Sequence, residues 1–154
     1  GEVTVVAPGI NGKMSEFNGA LGLLQLKHLH KALDLRRAID AAYRRLLEDV
    51  PGIVCLADAG ETVANYAYFP ILVGPEFRLS RDGLYEHLKA NGIHPRRYFY
   101  PLISEFPMYR GLPTASRDHL PNASRAAERI LCLPIYPDLE MSQVERIVSL
   151  IAAA

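Results

Sequence analysis

The sequence contains no tryptophan, and its 154 residues include only two cysteines and four lysines. Two cysteines are too few for a disulfide framework. Each sits in a short apolar run, Ile53-Val54-Cys55-Leu56 and Ile130-Leu131-Cys132-Leu133. Neither has CxxC spacing or a Cys/His neighbour at ligand distance, so both read as buried free thiols in a reducing compartment. Lysine-dependent covalent chemistry is confined to Lys13, Lys27, Lys31 and Lys89, the other 13 basic side chains being arginines. An excess of one charge sign is also missing: 17 basic and 17 acidic residues leave a formal net charge of zero. That removes the broad positive field on which non-specific nucleic-acid or anionic-membrane binding rests. No run approaches the roughly 18 apolar residues of a membrane span, and the N-terminus lacks the charged-then-apolar pattern of a secretory signal. A cytoplasmic protein is expected. Gly1 stands in mid-pattern before a β-branched run, which reads as a processed or cloned start.

What is present suffices for a core. The length fits one domain, and 49% hydrophobic residues supply the apolar surface that such a domain buries. Residues 14–50 hold strong helix formers and no proline, and they predict one long helix or two in series. Phe17, Leu21 and Leu24 form a helical stripe, continued by Ile39, Tyr43, Leu46 and Leu47. Ser15 is the expected N-cap, and Gly19 and Gly22 suggest close backbone packing. Arg36, Arg37, Arg44 and Arg45, interspersed with acids, read as a solvated face.

Further along, residues 53–56 and 62–73 carry strand patterns, with Pro70 expected at an edge or bulge. A helix is expected over 80–91 between Ser80 and Asn91-Gly92. Tyr98-Phe99-Tyr100 reads as a short strand ended by Pro101. The stretch from 102 to 120 has no sustained periodicity and reads as a long ordered loop, a kind of segment that is often functional. Asn122 is expected to cap a helix to Arg129, 130–133 to form a strand, and Ser142 with Glu145 to form a capping box. Alternating helices and strands predict an α/β or α+β layer domain.

Three motifs bear on chemistry. Gly9-Ile10-Asn11-Gly12-Lys13-Met14-Ser15 fails the Walker A spacing, yet its glycines, amide, lysine and following helix start suit an anion; a simple turn explains it equally well. Arg96-Arg97-Tyr98-Phe99-Tyr100-Pro101 joins guanidinium forks to aromatic faces, which fits a phosphorylated ligand or else a half-buried edge strand. His28 and His30 stand at i, i+2 on a helix and cannot share a metal, and His87, His94 and His119 lack partners at ligand spacing. No metal site is expected. No GxSxG elbow supports a hydrolase.

Taken in order, these residues resemble a known family. Gly9-Ile10-Asn11-Gly12-Lys13-Met14-Ser15-Glu16 with Ala20-Leu21-Gly22-Leu23-Leu24-Gln25-Leu26 is similar to the G-x-N-x-R/K-M-S-E helix start of the DegT/StrS-type sugar-nucleotide aminotransferases. Asn65-Tyr66-Ala67-Tyr68-Phe69-Pro70-Ile71, Gly92-Ile93 with the Arg96 to Leu102 motif, and Leu120-Pro121 through Pro137 follow in family order. The resemblance implies the small C-terminal domain of a fold-type I aminotransferase, a long N-terminal helix with a small antiparallel sheet covered by helices. It implies pyridoxal phosphate as cofactor, a nucleotide-linked keto-sugar as substrate, glutamate as amino donor and a homodimer. The large N-terminal domain, with the lysine that holds the cofactor, would then lie outside this chain. By the same resemblance Asn11 would reach the cofactor phosphate of the partner subunit and Lys13 the substrate's diphosphate. Arg97, Tyr98, Tyr100 and Ser104 would border the sugar nucleotide. Where many members carry His-x-Gln, this chain reads Ile103-Ser104-Glu105-Phe106-Pro107, a departure that weakens Ser104 as a ligand. The alternative from another class is a stand-alone binding or dimerisation module that uses the Arg96-Arg97 patch.

Overall fold

A computed structural model describes residues 9, 10, 12–57, 60, 63–98 and 100–154. It divides into two compact units, Gly1–Lys31 and Ala32–Ala154. In the first unit, Ser15 caps as expected: its Oγ accepts from the Asn18 N–H at 3.2 Å, and helix α1, Glu16–Leu47, begins at the next residue. Phe17, Leu21, Leu23 and Leu24 are all exposed. The expected close packing at Gly19 and Gly22 is not seen among the described residues, since no neighbouring backbone comes within 4 Å of a Cβ built at either position. Of the two alternatives, one long helix or two in series, the single helix forms, with no proline to interrupt the run before Pro51-Gly52.

The second unit carries a three-stranded antiparallel sheet in the order β1 (Ile53–Cys55), β2 (Phe69–Val73), β3 (Ile130–Leu133). By alternation Phe69, Ile71 and Val73 share a face, and all three are buried. They join a core completed by Ile39, Tyr43 and Leu47 of α1, by Leu84 and Leu88 of α2 (Arg81–Ala90), and by Val144, Ile147, Val148 and Ile151 of α4 (Met141–Ala152). Tyr43 stacks on Phe69 with ring centroids 4.8 Å apart, and its hydroxyl donates to the Pro134 carbonyl at 3.0 Å. Burial pushes that phenol above its ordinary pKa.

Pro70 lies in the middle strand of the sheet, yet it behaves as an edge residue. The β1–β2 register would next pair it with Leu56, but proline has no N–H to offer, and β1 ends at Cys55. The Leu56 carbonyl accepts instead from Arg44 Nη1 at 2.7 Å. On its other side β2 pairs with β3, whose Cys132 exchanges both backbone hydrogen bonds with Arg96 at 2.8 and 2.9 Å.

Several local expectations fail for identifiable reasons. The strand expected from residue 62 starts only at Phe69, because the Asn65 side chain accepts from the Ala67 N–H at 3.0 Å and Tyr66 adopts φ +50°. Residue 62 itself is outside the described residues. Tyr98 and Tyr100 are in no strand, since pairing there stops at the single Arg96–Cys132 bridge, and Phe99 is not described. Helix α3, Pro121–Arg129, begins with proline in its first turn, and Asn122 Oδ1 accepts from the Arg125 side chain, not from the backbone. The capping box at Ser142 does not form, because α4 starts one residue earlier and Glu140 occupies the N-cap. Ser80 and Asn91 do cap α2, with Gly92 at φ +76° beyond its end. Of the cysteines, Cys132 is buried and Cys55 only half-buried; both are free.

Candidate functional site

The residues predicted to matter in the second unit fall on two adjoining features. The first is a cavity of about 800 Å³ bordered by α1, the 63–68 segment, Pro70, Tyr98 and Cys132. The irregular backbone around Asn65 and Tyr66, together with the missing Pro70 N–H, opens this space at the end of β1. Arg37 and Arg44 line it from α1. Arg37 fits the expected solvated face, paired with Asp34 at 2.7 Å while both stay exposed. Arg44 does not fit it. Its Nε binds Asp40 Oδ1 at 2.7 Å, its Nη1 holds the Leu56 carbonyl, and its guanidinium lies 5.7 Å from the centre of the Phe69 ring. Asp40 is one of two buried charged residues in the described chain. Tyr68 and Tyr98 meet edge to face at 5.0 Å on the cavity wall. The wall thus offers aromatic rings and arginine charge, which suits a ligand with a planar ring and an anionic group.

The second feature is an arginine–tyrosine cluster at the start of the 101–120 segment. Arg97 donates to Asp82 Oδ1 at 3.1 Å, and its guanidinium lies 4.5 Å from the Tyr85 ring and 5.0 Å from the Tyr100 ring. Arg81 lies over Tyr100 as well, at 4.6 Å. Tyr100 is nevertheless 45% exposed, so part of it remains available. After the cis Tyr100–Pro101 bond the chain forms three single-turn 3₁₀ helices, Ile103–Glu105, Pro113–Ala115 and Arg117–His119. Ser104 is half-buried in the first of them. Glu105 folds that turn by accepting from the Leu102 N–H at 3.2 Å and from Arg117 Nη2 at 2.6 Å. The Arg117 bond holds the Glu105 carboxyl below its ordinary pKa. Arg117 also donates to Glu128 at 2.7 Å, so the segment without periodicity is cross-linked to α3.

Arg97 and Tyr100 are therefore brought together, Tyr98 stands on the cavity wall beside Tyr68, and Ser104 lies in the first 3₁₀ turn after Pro101. Lys13 is exposed in the first unit, and Asn11 lies outside the described residues. Lys27 and Lys31 are exposed too, while Lys89 is half-exposed, 3.7 Å from Glu86 and 5.1 Å from the Tyr85 ring centre. No lysine lines the cavity. Sequence reasoning missed Arg81, Asp82 and Tyr85 because they belong to an ordinary-looking helix start and touch the site only through the fold. Arg44 was misjudged because mixed charge on a helix usually faces water.

Comparison with known proteins agrees with the geometry. The profile of the DegT/DnrJ/EryC1/StrS aminotransferase family matches residues 2–152. The chain is 54% identical over 150 residues to the dTDP-4-amino-4,6-dideoxy-D-glucose transaminase of Escherichia coli, covering 97% of this chain and 40% of that protein. It is 43% identical to the Shigella dysenteriae protein of the same name, with the same coverage. Among solved structures, DesI in the presence of its TDP-sugar product superposes with TM-score 0.83 at 34% identity, covering 94% of this chain and 36% of that one. S. venezuelae DesV, solved in complex with a ketimine intermediate, gives TM-score 0.83 at 30% identity, over 99% and 40% of the two chains. The chain thus spans about two-fifths of the length of these relatives. With a family match along nearly its whole length and a small antiparallel sheet covered by helices as in the solved relatives, the chain belongs to the DegT/DnrJ/EryC1/StrS aminotransferases, a pyridoxal-phosphate-dependent family.

Proposed function

We propose that this chain is the C-terminal portion of an aminotransferase that converts a dTDP-linked keto-sugar to an amino-sugar, with glutamate as donor. The observation that carries this reading is the 54% identity to the Escherichia coli transaminase over 97% of the chain. The described residues do not by themselves fit the whole cofactor. A covalently held pyridoxal phosphate needs a desolvated lysine beside an acid for its ring nitrogen, and the four lysines here are exposed or half-exposed. The catalytic lysine is assigned to a large N-terminal domain beyond this chain, and the 154 residues alone are expected to be inactive.

In this reading the chain's own residues bind and orient substrate. Tyr98 and Tyr100 present ring faces, Ser104 offers a hydroxyl, and Arg97 brings positive charge close to a diphosphate. By the family resemblance Lys13 would serve the substrate's diphosphate, and Asn11 the cofactor phosphate of a partner subunit in a homodimer. The apolar side chains exposed on the first half of α1 are the surface such a dimer and the large domain would cover.

The test uses the enzyme that carries this chain at its C-terminus. It should show the visible absorbance of lysine-bound cofactor and aminate a dTDP-linked keto-sugar with glutamate. Absence of amination with every donor and every nucleotide sugar tried refutes the proposal. Asn11→Ala in that enzyme should release cofactor on dialysis faster than the parent, and equal retention removes Asn11 from the site.

A further inference from the structure

Arg81 is placed where arginine is least at home. It occupies the first position of α2, where the helix dipole is positive, and it is 4% exposed. A buried guanidinium at a helix N-terminus persists only when its surroundings are built for it. Those surroundings are specific. Nη1 donates to the Ala127 carbonyl at 2.8 Å and reaches the Ile130 carbonyl at 3.3 Å, while Nε makes an ion-pair contact with Asp82 Oδ1 at 2.9 Å without hydrogen-bond alignment. These contacts use the edge of the guanidinium. Its central carbon, Cζ, lies 4.6 Å from the centre of the Tyr100 ring. Arginine's fork donates in several directions while its delocalised charge stays near the ring; lysine's single ammonium has no such fork.

The carbonyl contacts matter because of what else is tied to the same turn. Ala127 and Glu128 are neighbours in the last turn of α3, and Glu128 is the residue that holds Arg117. The 101–120 segment is therefore fixed to the end of α3 at two points, through Tyr100 by way of Arg81 and through Glu105 by way of Arg117. Asp82 joins Arg81 to Arg97, whose guanidinium meets the same tyrosine ring.

We propose that Arg81 is a positioning residue for nucleotide-sugar binding: it holds the Tyr100 ring, and with it the start of the 101–120 segment, without itself touching substrate. The inference rests on the substrate-binding role proposed above for Tyr100. In the enzyme carrying this chain, Arg81→Met should raise KM for the dTDP-linked keto-sugar about tenfold or more. The half-reaction with glutamate, followed by cofactor absorbance, should stay within about twofold. Tyr100→Ala should show the same split, and the double variant Arg81→Met/Tyr100→Ala should be no worse than Tyr100→Ala alone. Arg81→Lys keeps the charge and loses the guanidinium fork that bonds the Ala127 and Ile130 carbonyls, so it should show the Arg81→Met defect, and it carries the same cycle if the methionine variant does not fold. Multiplicative losses in the double variant, or equal losses in both half-reactions, overturn the proposal. Trypsin cleavage after Arg110 gives a readout independent of activity: it should speed up about tenfold, and to the same degree, in Arg81→Lys and Tyr100→Ala. Unchanged cleavage overturns the role of Arg81 even in an active enzyme. An enzyme that aminates no keto-sugar while showing the cleavage change refutes the functional reading and leaves the positioning contact standing.

Discussion

Replacing Arg44 by alanine removes the side chain that closes the end of β1. The loss can be assembled from its contacts. The Leu56 carbonyl loses a donor at 2.7 Å, but Leu56 is partly exposed, so water replaces much of that bond and the cost is about 0.5–1 kcal/mol. Asp40 is left as a charge with its side chain only 11% exposed, which costs about 1–2 kcal/mol. The cation–π contact with Phe69 adds about 0.5 kcal/mol. The sum is about 2–3.5 kcal/mol, at or below the low end of the roughly 3–5 kcal/mol of fully buried pairs because the Arg44 side chain is 32% exposed. For a domain of this size that lowers Tm by roughly 5–10 °C, measurable by circular dichroism or calorimetry. The double variant Asp40→Asn/Arg44→Met keeps most of the packing and removes the Asp40 charge together with the guanidinium that pairs it, so it should recover about 1 kcal/mol relative to Arg44→Ala. An Arg44→Ala protein within about 0.5 kcal/mol of the parent, or a double variant less stable than the single one, would show that Arg44 is the solvated residue its sequence context suggests.

The two thiols should differ in reactivity. Burial pushes Cys132 up to about 11, so near pH 9 only about 1% is thiolate, and a disulfide reagent should label it only on unfolding. Cys55 is raised by burial but held back by the Arg44 charge, so it should react faster than Cys132, and more slowly in Arg44→Ala than in the parent; the reverse order contradicts this assignment. The 101–120 segment should loosen in acid. Because Arg117 depresses the Glu105 pKa, the stabilisation is present above the unfolded carboxylate value of about 4.3 and is lost as pH falls through the lower folded value. Hydrogen exchange at residues 102–120, corrected for intrinsic rates, should quicken below about pH 4 and be fast at every pH in Arg117→Gln. Exchange independent of pH in the parent would exclude that anchor.

What the sequence alone determined are the features that depend on local chemistry. The proline-free run from 14 to 50 could only be helix, Ser15 and Ser80 announce helix starts, Asn91-Gly92 announces an end, and the apolar run at 130–133 reads as the strand it is. The family was legible for the same reason, since its motifs keep their order along the chain. Tertiary structure decided the rest. The i,i+4 spacing puts Asp40 beside Arg44, but whether Arg44 also holds the Leu56 carbonyl depends on where β1 stops, next to a proline 26 residues away. Whether Tyr98 and Tyr100 form a strand depends on how far β3 can pair with the Arg96 region, and that pairing ends after one bridge. Arg81 carried no mark in the sequence, because a residue's burial and its stacking partner are set by segments that meet only when the sheet has formed. Short-range preference writes the elements, whereas hydrogen-bond satisfaction and desolvation between distant segments assign each charged side chain its task.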